Sequence, residues 1–213
     1  MGIVKMNIDS IIFDLDGTLW NSTEGICGTW EKVLENYPNI TKVITLKDLE
    51  GFMGLQINEI GKKLFPDLNE DFQIKLLKEC CDAELIYLGE HGGTLFPKLE
   101  ETLEKLAKRY KLFIVSNCQD GYIQCFLKVH KLNKYFIDFE CSGVTGLSKG
   151  ENNRIIMERN KLKNPIYVGD TNMDAESAKF AGIPFVYARY GFGNAEKYDY
   201  CIDNFEELLT LLM

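Results

Sequence analysis

A chain of 213 residues can bury a sizeable core and has room for one domain, or one domain plus an insert. A formal net charge of −8 with no basic run argues against nucleic acid as a main partner, and the apolar runs are too short to span a bilayer. The cysteines number seven, at 27, 80, 81, 118, 125, 141 and 201, with no CxxC pair, which fits reduced thiols in a soluble cytoplasmic protein. His91 and His130 are the only histidines and offer little material for a zinc site or a Ser-His-Asp triad. The opening Met1–Asn7 lacks the apolar stretch of a secretory signal, and Met6 stands where myristoylation of Gly2 would want Ser or Thr.

The first structural signal is Ser10–Phe13, a short run rich in β-formers, as expected for a strand covered on both faces. It stops at Asp14, and Asp14 and Asp16 follow two residues apart before the turn residue Gly17. If the strand direction holds, both carboxylates point the same way, an arrangement that needs a cation or a proton between them. After Thr18 the pattern turns helical. Trp30, Val33, Leu34 and Tyr37 mark one helix up to Pro38; Leu46, Leu49 and Phe52 mark a short one; Ile57, Ile60 and Leu64 a third before Pro66. Leu77, Cys80, Cys81, Glu84 and Leu88 share one stripe of a longer helix. Residues 20–93 thus read as an all-helical insert closed by His91-Gly92-Gly93, whose glycines suit a hinge.

From Leu95 the pattern alternates between helix and strand. Pro97 suits a first helical position, with Leu99, Leu103, Leu106 and Tyr110 behind it, and Leu112–Val115 is a buried strand ending in Ser116-Asn117. A helix through Tyr122, Phe126 and Val129 follows, then a strand at 136–141, a loop at 143–150 carrying Lys149, and a helix through Ile155, Ile156, Arg159 and Leu162. Ile166–Val168 is a strand ending in Gly169-Asp170, followed by a helix through Ala175, Ala178 and Ala181, a strand at 185–188 and a last helix at 205–212. This order predicts an α/β fold, a Rossmann-like parallel sheet with helices on both faces, formed by residues 1–19 and 94–213 and carrying the helical insert.

Ligands in such sheets bind outside the C-terminal strand ends, so the residues that end the strands should converge. These are Asp14 and Asp16, Ser116 and Asn117, and Asp170 with Asp174, joined by Lys149 from the neighbouring loop. Four carboxylates, an ammonium and several hydroxyl or amide donors suit a divalent cation beside a phosphoryl group. Taken singly, each has a plainer reading. Asp16-Gly17 is a common turn, Ser116 and Asn117 can cap the helix starting near Asp120, and Asp174 is a first-turn acid favoured by the helix dipole. Lys161 and Lys163 compete with Lys149. Cys118 has no base near it in sequence, and Lys62 and Lys63 read as a solvated face.

In that order the four motifs resemble those of the haloacid dehalogenase-like hydrolase superfamily, in its phosphoglycolate phosphatase-like branch. Asp14-Leu-Asp16-Gly-Thr18 resembles the first motif, Ser116 the second, Lys149 the third, and Gly169-Asp170 with Asp174 the fourth; residues 20–93 match the helical cap. The resemblance implies that Asp14 is the nucleophile and Asp16 the acid and base, and that Thr18, Ser116, Asn117 and Lys149 hold the phosphoryl oxygens. Mg2+ would be held by Asp14, the backbone carbonyl of Asp16 and Asp170, with Asp174 behind or beside them. A carboxylate at position 16 implies phosphate ester hydrolysis rather than dehalogenation. Residues 189–193, with Tyr-Gly-Phe-Gly, resemble a late family loop without a named role. The expected partner is a small phosphate ester. A β-phosphoglucomutase-like mutase is a rival, weakened by the lack of any Arg before Arg109 and of any His before His91. Inorganic pyrophosphatase activity is a further alternative. A phospho-acceptor signalling module would share the acids and lysine but not the insert.

Overall fold

The computed structural model describes residues 7–213. Residues 1–6, and with them the Gly2 and Met6 reading, lie outside the described residues. Six strands form one parallel sheet in the order β5-β4-β1-β6-β7-β8. They are β1 (Ser10–Phe13), β4 (Lys111–Ser116), β5 (Phe136–Cys141), β6 (Pro165–Gly169), β7 (Phe185–Ala188) and β8 (Tyr200–Ile202). β1 sits in the middle, with Ile11 opposite Leu112 on one side and Ile166 on the other. Side chains alternate between the faces, so Ile11, Phe13, Ile114 and Val168 join one apolar cluster while Ile12, Phe113, Val115 and Tyr167 join a second. The second is completed by α8 (Lys149–Arg159) and α9 (Asn172–Ala181), through Ile156 and Ala178. The first receives α5 (Leu99–Leu106), α6 (Tyr122–Val129) and α10 (Glu207–Leu212). This is the predicted α/β sheet with helices on both faces.

Between β1 and β4 lie α1 (Thr23–Leu34), α2 (Leu46–Phe52), α3 (Ile57–Leu64) and α4 (Glu70–His91). Leu77, Cys80, Cys81, Glu84 and Leu88 are all buried on α4, as their spacing predicts. The chain enters and leaves these helices through a two-stranded antiparallel ribbon, β2 (Trp20–Asn21) against β3 (Thr94–Leu95). Trp20 and Asn21 are therefore extended rather than helical, because two connections running side by side satisfy each other's backbone groups. Gly92, at φ +73°, ends α4, and a Cβ on Gly93 would lie 2.8 Å from the Asn21 carbonyl.

Other departures from expectation are local. Lys149 is the first residue of α8, because Ser148 caps that helix and exchanges hydrogen bonds with Glu151; a short α7 (Ser142–Thr145) takes up part of the expected loop. Helix α5 starts at Leu99, two residues after Pro97. The edge strand β8, three residues long and half-buried, carries no pattern strong enough to read. Among the described residues no helix is long and apolar enough to cross a membrane.

Candidate active site

The ends of β1, β4 and β6 and the start of α8 meet at one edge of the sheet. β1 ends in a tight turn in which Leu19 N–H donates to the Leu15 carbonyl at 2.8 Å and Gly17 takes φ +80°. A Cβ at Gly17 would lie 2.3 Å from Asp170 Oδ2, so only glycine lets this turn approach the β6 terminus. Asp14 is carried just ahead of that turn, its N–H donating to the Val168 carbonyl at 2.8 Å.

Lys149 lies between two of the carboxylates. Its Nζ is 2.9 Å from Asp14 Oδ1 and 2.8 Å from Asp174 Oδ1, with all three side chains buried. Burial pulls the ammonium's pKa down, but Asp14 and Asp174 outweigh burial and hold it above the ordinary lysine range. Burial, with repulsion from Asp174, pushes Asp14 well above the usual carboxylate range against the pull of Lys149. Asp174 is saturated. Its Oδ1 also accepts from the Tyr167 hydroxyl at 3.2 Å, and its Oδ2 accepts from the N–H groups of Asp170 and Thr171 and from Thr171 Oγ1. The first-turn reading of Asp174 and its place in the charged centre thus hold together, since the Thr171 capping box orients the carboxylate that meets Lys149.

Asp170 is held from the other side. Its Oδ2 accepts the N–H groups of Phe192 at 2.7 Å and Gly193 at 3.1 Å, and a Cβ on Gly191 would collide with it. Its Oδ1 is buried with no partner among the described residues. Burial and repulsion from Asp174 push Asp170 up to about 7 despite the two N–H donors. Oxygens of Asp14, Asp170 and Asp174 lie within 4.8 Å of one another. An all-oxygen group of this kind, with one buried oxygen lacking a donor, fits a hard divalent cation such as Mg2+.

Asp16 points elsewhere. Its Oδ1 accepts from Trp20 Nε1 at 2.9 Å and Ser22 Oγ at 2.7 Å, and Tyr122 Oη lies 3.0 Å from it and 2.9 Å from Ser22 Oγ. Burial raises the Asp16 pKa, and these donors oppose the rise. Its side chain is not one of the three that cluster for a cation.

A cavity of about 520 Å3 opens onto Asp14 and Asp16 and is roofed by the helices inserted after β1. Ser116 lines it from the end of β4. Asn117 lines it too, but its side chain is engaged: Nδ2 donates to the Gly54 carbonyl at 2.7 Å and Oδ1 accepts from Ser142 Oγ. The side chain is thus a tie between the insert and the sheet. Thr18 Oγ1 is buried without a partner among the described residues, and its carbonyl accepts from the Tyr190 hydroxyl at 2.8 Å. Lys62 is solvated, 3.6 Å from Glu70, and neither it nor Lys63 lines the cavity.

The structure therefore brings together Asp14, Asp16, Ser116, Asn117, Lys149, Asp170 and Asp174, with Thr18 in the same turn. Sequence reasoning missed the partners. Trp20 and Ser22 come from one segment and Tyr122 from another a hundred residues on, and the 189–193 loop supplies backbone donors, which no side-chain pattern encodes. Glu84 left a signal, a carboxylate on an otherwise apolar stripe. It is buried in the cavity wall, with Oε2 accepting from Trp30 Nε1 at 2.5 Å and Oε1 from Gln119 Nε2. Burial pushes it up to about 8.

Fold and site together define an α/β protein with its polar centre at the C-terminal edge of a parallel sheet. The chain belongs to the haloacid dehalogenase-like hydrolases, whose family model matches residues 11–188. A phosphoglycolate phosphatase from Vibrio parahaemolyticus is 26% identical over 229 residues, covering 99% of this chain and 98% of the relative. One from Aquifex aeolicus is 27% identical over 218 residues, covering 95% of each. A hydrolase of the haloacid dehalogenase-like family from Streptococcus pneumoniae shares the fold, with a TM-score of 0.85 at 23% identity over 97% of this chain and 99% of that one. The chain is accordingly an enzyme, a hydrolase whose curated relatives are phosphatases.

Proposed function

We propose that the chain is a Mg2+-dependent phosphatase that hydrolyses a small phosphorylated metabolite through an aspartyl-phosphate on Asp14. Residues 1–19 and 94–213 form its catalytic core and residues 20–93 its cap, and it works in the cytoplasm without nucleic acid or membrane. The observation that carries this reading is the buried group of Asp14, Lys149 and Asp174 beside the unpartnered Oδ1 of Asp170. Asp14, Asp170 and the Asp16 carbonyl would hold Mg2+, with Asp174 acting through its hydrogen bonds. The cation, when bound, supplies positive charge beside the phosphoryl oxygens.

Asp14 attacks phosphorus as the bond to the leaving oxygen breaks, and Asp16 gives that oxygen its proton. Asp16 then takes a proton from water, whose oxygen attacks the phosphoryl group and releases phosphate with Asp14 restored. A raised pKa suits the first role, and the donors on Oδ1 fix the carboxyl while leaving its other oxygen free for proton transfer. Lys149, Thr18 Oγ1, Ser116 and the Asn117 backbone position the phosphoryl oxygens, which is most of the catalytic task in phosphoryl transfer.

Steady-state phosphate release from p-nitrophenyl phosphate tests the reading. Continuous release that stops on magnesium chelation and in Asp14→Asn is expected. Full activity of purified Asp14→Asn would overturn the mechanism, and a single stoichiometric labelling event would make the chain a signalling module instead.

A further inference from the structure

The cavity beyond Asp14 and Asp16 carries the wrong charge for an acidic leaving group. Glu84 of α4 forms part of its wall, and each of its oxygens accepts one hydrogen bond, leaving lone pairs for a further donor. Asp120 lines the same space, together with the amides of Gln56, Asn58 and Gln119. The rest of the wall is largely apolar, including Trp30 and Phe52. Among the described residues that line this cavity there is no Lys, Arg or His. Lys149 opens onto a different hollow and is taken up by Asp14 and Asp174. An anionic group entering here would lose its hydration, meet two acids and find no cation. An ammonium or hydroxyl would find acceptors.

We propose that this enzyme selects a phosphate ester whose leaving alcohol bears no anion and offers a hydrogen-bond donor, as an amino alcohol does, and that Glu84 sets this preference. The proposal rests on the phosphatase reading above and gives it a substrate class, one opposite in charge to the substrate for which the curated relatives are named. Glu84 does not touch the phosphoryl group. It acts on selectivity through the leaving group alone.

The test compares two esters of similar size, 2-aminoethyl phosphate and phosphoglycolate, by kcat/KM in the magnesium-loaded enzyme at pH 9, above the Glu84 pKa of about 8, with p-nitrophenyl phosphate as reference. Wild type is expected to favour 2-aminoethyl phosphate by at least about tenfold, since one contact is attractive and the other repulsive in a poorly hydrated cavity. Glu84→Gln is expected to compress that ratio at pH 9, where Glu84 is ionised, by roughly fivefold or more through loss of the charge. A ratio of two substrates on one preparation is indifferent to the fraction of folded enzyme. Equal or better turnover of phosphoglycolate by wild type overturns the proposal, as does an unchanged ratio in Glu84→Gln. Release from none of the three esters overturns the phosphatase reading itself, and the preference falls with it.

Discussion

Lys149→Met keeps most of the length of the side chain and removes its charge. The ammonium lies 2.9 Å from Asp14 and 2.8 Å from Asp174, with exposures of 3% or less on all three side chains. Deleting one partner of a buried ion pair costs about 3–5 kcal/mol, because the other partner is left buried and unanswered. Here two carboxylates are left, with Asp170 beside them, so the upper half of that range is expected in chelator at neutral pH. At about 2–4 °C per kcal/mol for a chain of this size, the melting temperature falls by roughly 8–20 °C. Urea unfolding followed by the fluorescence of Trp20 and Trp30, both buried, measures the loss directly. Added magnesium should narrow the gap, since a divalent cation answers the same carboxylates. Phosphate release should fall by about 10²–10³-fold, the usual effect of removing one charge-stabilising donor. A variant within about 1 kcal/mol of wild type in chelator, with an unchanged urea slope, would refute the charged state assigned to this centre.

Tyr122→Phe removes a hydroxyl from the Asp16 donors, while Trp20 and Ser22 remain. With less support for the carboxylate, the Asp16 pKa should rise, and the limb of the kcat/KM profile on which activity falls with increasing pH should move upward. About one pH unit corresponds to a lost hydrogen bond of 1.4 kcal/mol; a profile that moves down or stays fixed contradicts the role of this network. Glu84 gives a stability prediction that needs no metal. Its pKa is near 8 in the folded chain against 4.5 unfolded. The folded state therefore holds the extra proton between those values, and wild type loses stability as pH rises through that window. Glu84→Gln lacks this titration, so wild type should weaken relative to the variant between pH 5 and 9, by on the order of a few kcal/mol at 1.36 kcal/mol per pH decade. Urea midpoints at several pH values check it, and a constant difference would contradict the buried state of Glu84.

The strands of the sheet that touch the site were legible because they are buried on both faces. Ile11-Ile12-Phe13 and Ile166-Tyr167-Val168 announce themselves by composition, and the acids that end them follow from where such strands must stop. β8 was not legible, since an edge strand of three residues needs only neighbours to pair with. Pro97 and Lys149 were misplaced by one or two residues at helix starts, where a cap decides the boundary and periodicity does not. The site divides the same way. Groups that are side chains at strand ends could be read off, whereas the Phe192 and Gly193 amides on Asp170 exist only once a loop folds back. Glu84 stood out as a carboxylate on an apolar stripe, but its partners Trp30 and Gln119 are fixed only once the neighbouring elements are placed.

The central position of β1 sets the order in which the protein can assemble during synthesis. β1 precedes the other strands of the sheet, yet its pairing partners are residues 111–114 on one side and 165–168 on the other. Until residues 165–168 are made, that apolar strand has at most one neighbour, and its acids lack Asp170 and the loop at 189–193. Contacts separated so widely along the chain make folding slow. The inserted helices pack largely on one another and can form early, so the growing chain would carry a finished lid over a half-built sheet. The exposed edge of β1 is then the segment most open to wrong pairing, and a truncation before residue 165 should aggregate through it.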